Sequence, residues 1–322
     1  MFFDVTTQRI WYMLGGVIAI NIGFFVLTPI RFDPDGLSSE LGTLAPIVFN
    51  FVLLNLLIRY RNIQSIWVRK LKACLEALVF VYLVSSIGAM YNILTMTLPF
   101  PMQDDLLARM DEALKIDWFA YFNWVNDNPS FIEPMQIAYD ALGLVYFAGL
   151  IYLILAGDFE RARFYTEIFF FTGVAYITVG AAFPALAAAD RYIVDIASYT
   201  NFQKPPGVYH IEYFELLRGP KEQLSVALGP AAGLVTFPSY HSAAGLLLVF
   251  CLFRTKIFWP ITIFSTIMLA ATPVFGGHYF IDIFVGGAIA LVAAWALSRT
   301  ERHRGLFDKP NTLNSSAEVK IA

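Results

Sequence analysis

Charge is scarce in this chain. Of its 322 residues only 15% are Asp, Glu, Lys or Arg, against 58% hydrophobic. A soluble domain carries roughly 25% charged residues, so this chain lacks the polar cover of a water-facing fold. The net charge of −3 excludes the basic surface of a nucleic-acid-binding protein. Cysteine is nearly absent. Cys74 and Cys251 fall in or beside apolar runs, which excludes a disulfide framework. The first apolar run is followed by no small-residue cleavage pattern and reads as a retained helix, not a removed signal. No internal repeat is present.

What the chain does have is a series of apolar runs near the ~20 residues that cross a bilayer. They predict an all-α polytopic membrane bundle of about eight transmembrane helices. The spans are expected near 10–30, 43–58, 74–98, 134–156, 165–186, 239–253, 257–275 and 278–298, the sixth starting at 239 or a little earlier, near Leu234. Placing both termini in the cytoplasm puts 15 of the 22 Lys and Arg residues on the inner side, the sense that the positive-inside rule demands.

Four segments follow. Residues 1–98 carry the N-terminal transmembrane helices, 99–133 an outer interfacial segment, 134–299 a transmembrane core and 300–322 a polar tail expected to be disordered. In 99–133, Leu106, Leu107, Met110 and Leu114 recur at helical spacing between acidic residues, and Trp118, Phe119, Tyr121, Phe122 and Trp124 follow. This reads as an amphipathic helix on the membrane surface with an aromatic belt, or as a small water-facing cap. The carboxylates at 104–112 are expected to be solvated. Residues 187–235 form a second long outer segment, with turns at Pro205-Pro206-Gly207 and Gly219-Pro220.

Histidine is also rare: His210, His241, His278 and His303 are the only four. His241 and His278 stand at the outer ends of the sixth and eighth spans. Those spans run in the same direction because the seventh returns the chain, so both histidines can meet at one membrane face. His278 and Asp282 are four residues apart, a spacing that shares one helix face. A carboxylate beside an imidazole fixes its tautomer and stabilises its cation. An ionisable residue inside a span points to function. Ser239 is a natural N-cap for the sixth span, and a helix start offers free N–H groups to a phosphate. His210 reads as an incidental loop histidine, and His303 as part of the inner tail. Gly276, Gly277, Gly286 and Gly287 read as sites of close helix packing, the first two also as a tight turn before His278.

Together Pro238-Ser239-Tyr240-His241 and His278-Tyr279-Phe280-Ile281-Asp282 resemble the second and third motifs of the type 2 phosphatidate phosphatase superfamily, over roughly residues 134–298. The resemblance implies a six-helix core with extra N-terminal helices. It implies His278 as the nucleophile that forms a phosphohistidine, Asp282 as its orienting partner, His241 as the acid for the leaving oxygen and Ser239 as a phosphate-binding group. It implies no metal and no cofactor.

The usual first motif, Lys-x6-Arg-Pro, is missing, because no Arg-Pro dipeptide occurs, and Thr272 stands where an arginine is usual. The phosphate then needs another cation. Arg218 is the expected substitute, followed by Lys221, Arg191 and Lys204. These same departures resemble fungal inositol phosphorylceramide synthases and their bacterial relatives, which transfer a phospho-headgroup. The implied partners are a phospholipid or lipid phosphate and a lipid alcohol acceptor; water as the acceptor would make the reaction a hydrolysis. Two other classes fit the composition: an anionic-lipid transporter or flippase using the same ionisable groups, and a catalytically silent scaffold. The outer segments lack an Asn-x-Ser/Thr sequon, which favours a bacterial inner membrane with an extracytoplasmic site.

Overall fold

The structure, a computed structural model, describes residues 3–227 and 233–307. Its helices, in order, are α1 (Gln8–Leu27), α2 (Asp35–Arg61), α3 (Ile66–Met96), α4 (Asp104–Ala113), α5 (Trp118–Asp127), α6 (Ile132–Asp140), α7 (Leu142–Ala156), α8 (Phe159–Ala182), α9 (Ala188–Tyr192), α10 (Ile211–Arg218), α11 (Tyr240–Cys251), α12 (Phe258–Phe275) and α13 (Phe280–Ser298). The chain is an all-α membrane bundle. One short parallel pair, β1 (Arg31–Asp33) with β2 (Ser225–Ala227), joins two loops with Arg31 opposite Ser225.

Long apolar runs make the spans, and local signals end them. Asp158 caps α8 by accepting from Arg161 N at 3.1 Å. Gly157, at φ 82°, closes α7. Six helices (α1, α2, α3, α8, α12 and α13) are long and apolar enough to cross a membrane. The expected fourth span is a bent pair: its two parts, Pro129–Asp140 and Leu142–Ala156, meet at 56°. The expected sixth is α11, with only 12 residues. At 1.5 Å per residue it is about 18 Å long, too short to cross a core of about 30 Å alone. The chain is therefore a multi-pass membrane protein with fewer full spans than the eight expected.

The best-buried core lies where α7, α8 and α11 meet, around Leu150, Phe164, Tyr165, Leu247 and Leu248. Small residues let α11 and α13 pack closely beneath the site. A side chain at Gly286 would collide with the backbone oxygen of Ser239. Tyr176 of α8 donates to the carbonyl of the same Gly286 and fixes the third helix of this packing.

Far from that site, buried ions tie both ends of the described chain to the bundle. The Glu76 carboxylate accepts from the backbone N–H groups of Asp4, Val5 and Thr6. Lys72 Nζ lies 2.6 Å from Asp4 Oδ2. His303, expected in a loose tail, is buried with Nε2 2.8 Å from Glu167 Oε2. Leu306 and Phe307 pack on the core. The start of the expected disordered tail, through residue 307, is thus docked, because an unpaired Glu167 in the bundle would be costly. The rest of that tail lies outside the described residues.

Candidate active site

The two motifs meet as parallel helix starts. Ser239 sits at the N-cap of α11, where its Oγ accepts from Ser242 N at 3.4 Å. His241 follows in the first turn. Ser239 N donates to the carbonyl of Asp282 at 3.1 Å, which locks the two starts together. The His278 Nε2 lies 3.4 Å from Ser239 Oγ, and its Nδ1 faces Asp282 Oδ2, also at 3.4 Å. The rings of His241 and His278 stand 6.4 Å apart between centroids, close enough for both to touch one phosphoryl group. His241, His278, Asp282 and Ser239 are all brought together.

The local geometry differs from the expected helix face. His278 precedes α13, whose first residue is Phe280. Gly277 turns the chain at φ 64°, and a side chain there would strike the Gly207 carbonyl. Asp282 reaches His278 because it belongs to a capping box: its Oδ2 also accepts from Tyr279 N at 3.0 Å. One carboxylate therefore caps the helix and faces the imidazole. Burial and the neighbouring His241 and His210 rings push His278 well below the usual histidine range, to about 3. Its ring is neutral near pH 7, as a nitrogen nucleophile must be.

The segment 99–133 has two sides: Leu106, Met110, Leu114, Phe119 and Trp124 are exposed, whereas Leu107, Trp118 and Phe122 are buried. Asp111 of α4 is 1% exposed, and its two oxygens accept from Phe280 N and Ile281 N, both at 2.8 Å. It thus pairs two of the N–H groups that a helix start leaves open. Asp104 accepts from Tyr279 OH at 3.1 Å and from Leu186 N. Trp118, 2% exposed, donates from Nε1 to the His278 carbonyl at 3.0 Å. Of the carboxylates expected to be solvated, Asp105 and Glu112 are exposed, but Asp104 and Asp111 are structural: burial pushes both above the usual carboxylate range, against the opposing pull of their N–H donors. An Asp111→Ala change leaves two buried N–H groups unpaired, so thermal unfolding in detergent should show a loss of about 2–4 kcal/mol. An unchanged melting temperature would show that α4 does not hold the α13 start.

Tyr139 of α6 is a further neighbour that the sequence did not indicate. It stacks on His241 at 4.0 Å between centroids and 11° between planes. His210 also belongs here, contrary to its reading as incidental. It is 1% exposed and its Nε2 is 2.7 Å from the Leu186 carbonyl.

The expected phosphate cations do not join this group. The Arg218 guanidinium, at the end of α10, donates to the carbonyls of Leu98 and Phe100, the latter at 2.5 Å. It ties α10 to the end of α3. Arg191 pairs with Asp105 at 2.5 Å. Lys221 lies in the turn Lys221–Gln223, after α10. An Arg218→Ala variant should therefore lose about 1.5–3 kcal/mol of stability, with the substrate KM little changed. A raised KM at unchanged melting temperature would return Arg218 to the site.

A cavity of about 400 Å³ opens between the histidines and the bundle. His210, Thr236, His241 and His278 line its polar end. Leu14 and Val17 of α1, Phe80 and Val84 of α3, and Phe170 and Val174 of α8 line its apolar end. No Lys, Arg, Asp or Glu lines it among the described residues.

A model of the PAP2 superfamily matches residues 105–296. The chain belongs to the PAP2 superfamily. The match begins within α4, so the segment that caps α13 is part of the family region, upstream of the 134 where the resemblance was first drawn. PAP2 proteins are generally phosphatases and phosphotransferases acting on phosphate substrates, which supports an enzyme here. No curated protein and no solved structure matches the chain.

Proposed function

We propose that this PAP2 protein transfers a phospho-headgroup from a phospholipid to a lipid alcohol. The observation that carries the reading is the single cavity that joins the histidine pair to an apolar groove between α1, α3 and α8. A lipid can place its phosphate among the histidines while its chains stay in hydrocarbon. Hydrophobic contact along the groove supplies binding, and the polar end supplies chemistry.

The charge of the cavity wall favours a phosphodiester. A phosphomonoester carries about −1.5 to −2 near pH 7, and a diester only one charge. A desolvated second charge without a Lys or Arg partner is costly. The wall holds neither among the described residues. This fits the inositol phosphorylceramide synthase-like branch better than a phosphatidate phosphatase.

In the proposed reaction His278 Nε2 attacks phosphorus. Burial alone lowers the His241 pKa, so it is the bound phosphate anion that stabilises its protonated form. The bond from phosphorus to the diacylglycerol oxygen breaks, and His241 gives its proton to that oxygen. Asp282 takes the Nδ1 proton as a hydrogen-bond partner and balances the charge on the phosphorylated ring. Ser239 Oγ and the N–H groups of the α11 start hold the phosphate oxygens. The acceptor alcohol then attacks phosphorus, returns a proton to His241 and releases His278. The site faces the extracytoplasmic side, and a bacterial inner membrane is the proposed host.

The test is an assay in proteoliposomes with phospholipid labelled at phosphorus, with and without a lipid alcohol. A new labelled lipid that requires the alcohol is the expected product. Release of a water-soluble labelled phosphate compound at the same rate without alcohol would make the protein a hydrolase; no turnover of any phospholipid would contradict lipid chemistry.

A further inference from the structure

Outside the proposed phosphoryl transfer, two buried side chains on the cavity wall carry an unpartnered polar atom. They are His210, in the loop before α10, and Asn92, in the last turns of α3. His210 is 1% exposed and Asn92 9%. Each has one polar atom without a hydrogen-bond partner among the described residues, Nδ1 of His210 and Oδ1 of Asn92. Buried polar atoms are nearly always paired, so two orphans on one cavity call for a partner that the protein itself does not supply.

The chemistry of both atoms is the same. A carbonyl only accepts, so the contact to Leu186 places the His210 proton on Nε2. Nδ1 is then a bare lone pair in the neutral ring. Burial lowers the pKa of His210, which keeps the ring neutral near pH 7. Asn92 Oδ1 is a carbonyl oxygen and also accepts only. A phosphodiester monoanion brings no donor to either, and neither does an acyl chain. What both atoms lack is a donor, and a ligand hydroxyl supplies one.

We propose that His210 and Asn92 read hydroxyl groups of the ligand, so that the cavity selects a hydroxyl-bearing molecule. The hydroxyls belong to the headgroup of the phosphodiester lipid or to the acceptor alcohol. The identity of the ligand as a lipid rests on the transfer reading above. The hydroxyl preference itself is a matter of binding and needs no turnover.

The experiment measures dissociation constants of the full-length protein in nanodiscs for two matched pairs. Phosphatidylglycerol and phosphatidylmethanol have the same charge and differ in headgroup hydroxyls. Diacylglycerol and its O-methyl ether differ in the acceptor hydroxyl. The wild type should bind the hydroxylated member of at least one pair about tenfold more tightly. His210→Phe or Asn92→Leu should reduce that ratio to less than about threefold by weakening only the hydroxylated member. The pair that responds identifies the source of the hydroxyl.

His210→Gln keeps a donor for Leu186 and an acceptor for the ligand, and should retain most of the preference. Asn92→Leu carries the test alone if His210→Phe does not fold. No preference in the wild type, or a preference that survives in every folded variant, would overturn the proposal and assign both atoms to trapped water. A clear preference in a protein that turns over no phospholipid would reject the transfer reading and leave the hydroxyl reading standing.

Discussion

Replacing His278 with alanine should abolish turnover, by roughly 10⁴-fold or more, with the fold intact. Removing a covalent nucleophile deletes the reaction path itself and does not merely weaken one contact. The fold should survive because the main structural tie at this position uses backbone: Trp118 Nε1 donates to the His278 carbonyl, which alanine retains. Asp111 still pairs the N–H groups of Phe280 and Ile281. Melting temperature and labelled-lipid turnover, measured on one preparation, separate the two effects. Full activity in His278→Ala would eliminate the phosphohistidine route.

Asp282→Asn should be nearly as damaging, for a subtler reason. The asparagine oxygen can still accept from Tyr279 N, so the capping box and the α13 start remain. With that oxygen at the Oδ2 position, which also faces His278 Nδ1, the NH2 group falls at the Oδ1 position, an atom without a hydrogen-bond partner among the described residues. What is lost is the negative charge that stabilises the phosphorylated imidazolium. A comparable change in a serine-protease triad costs about 10⁴ in kcat. The expected signature here is a loss of similar order in kcat, with KM and melting temperature close to wild type. A fall in stability with kcat intact would make Asp282 a capping residue only.

What could be read beforehand follows the range of each interaction. Ser239, His241, His278 and Asp282 lie in two short motifs, each sitting at the start of one helix, so local order carries them into contact. The glycines before His278 were legible for the same reason. Asp104, Asp111 and Trp118 were not, because their partners lie far along the chain. An acidic run with helical periodicity looks the same whether its carboxylates face water or cap a distant helix. The contacts of Arg218 were hidden on the opposite ground. Its charge was plain, but nothing in Leu98-Pro99-Phe100 marks those carbonyls as its acceptors. The bend between α6 and α7 was hidden because neither proline nor glycine stands in Asp140-Ala141-Leu142 to mark it. Tyr139 and His210 reach the site through tertiary packing alone.

The covalent intermediate is the claim on which the rest depends. Rapid acid-free quenching of the protein with phosphorus-labelled phospholipid, followed by peptide mass spectrometry, tests it most directly. The account predicts a labelled headgroup phosphodiester on the peptide containing His278, labile to acid and stable to base. It predicts that the label is absent in His278→Ala and discharged by added lipid alcohol. Turnover by the wild type with no label on that peptide, or label that persists in His278→Ala, would contradict it.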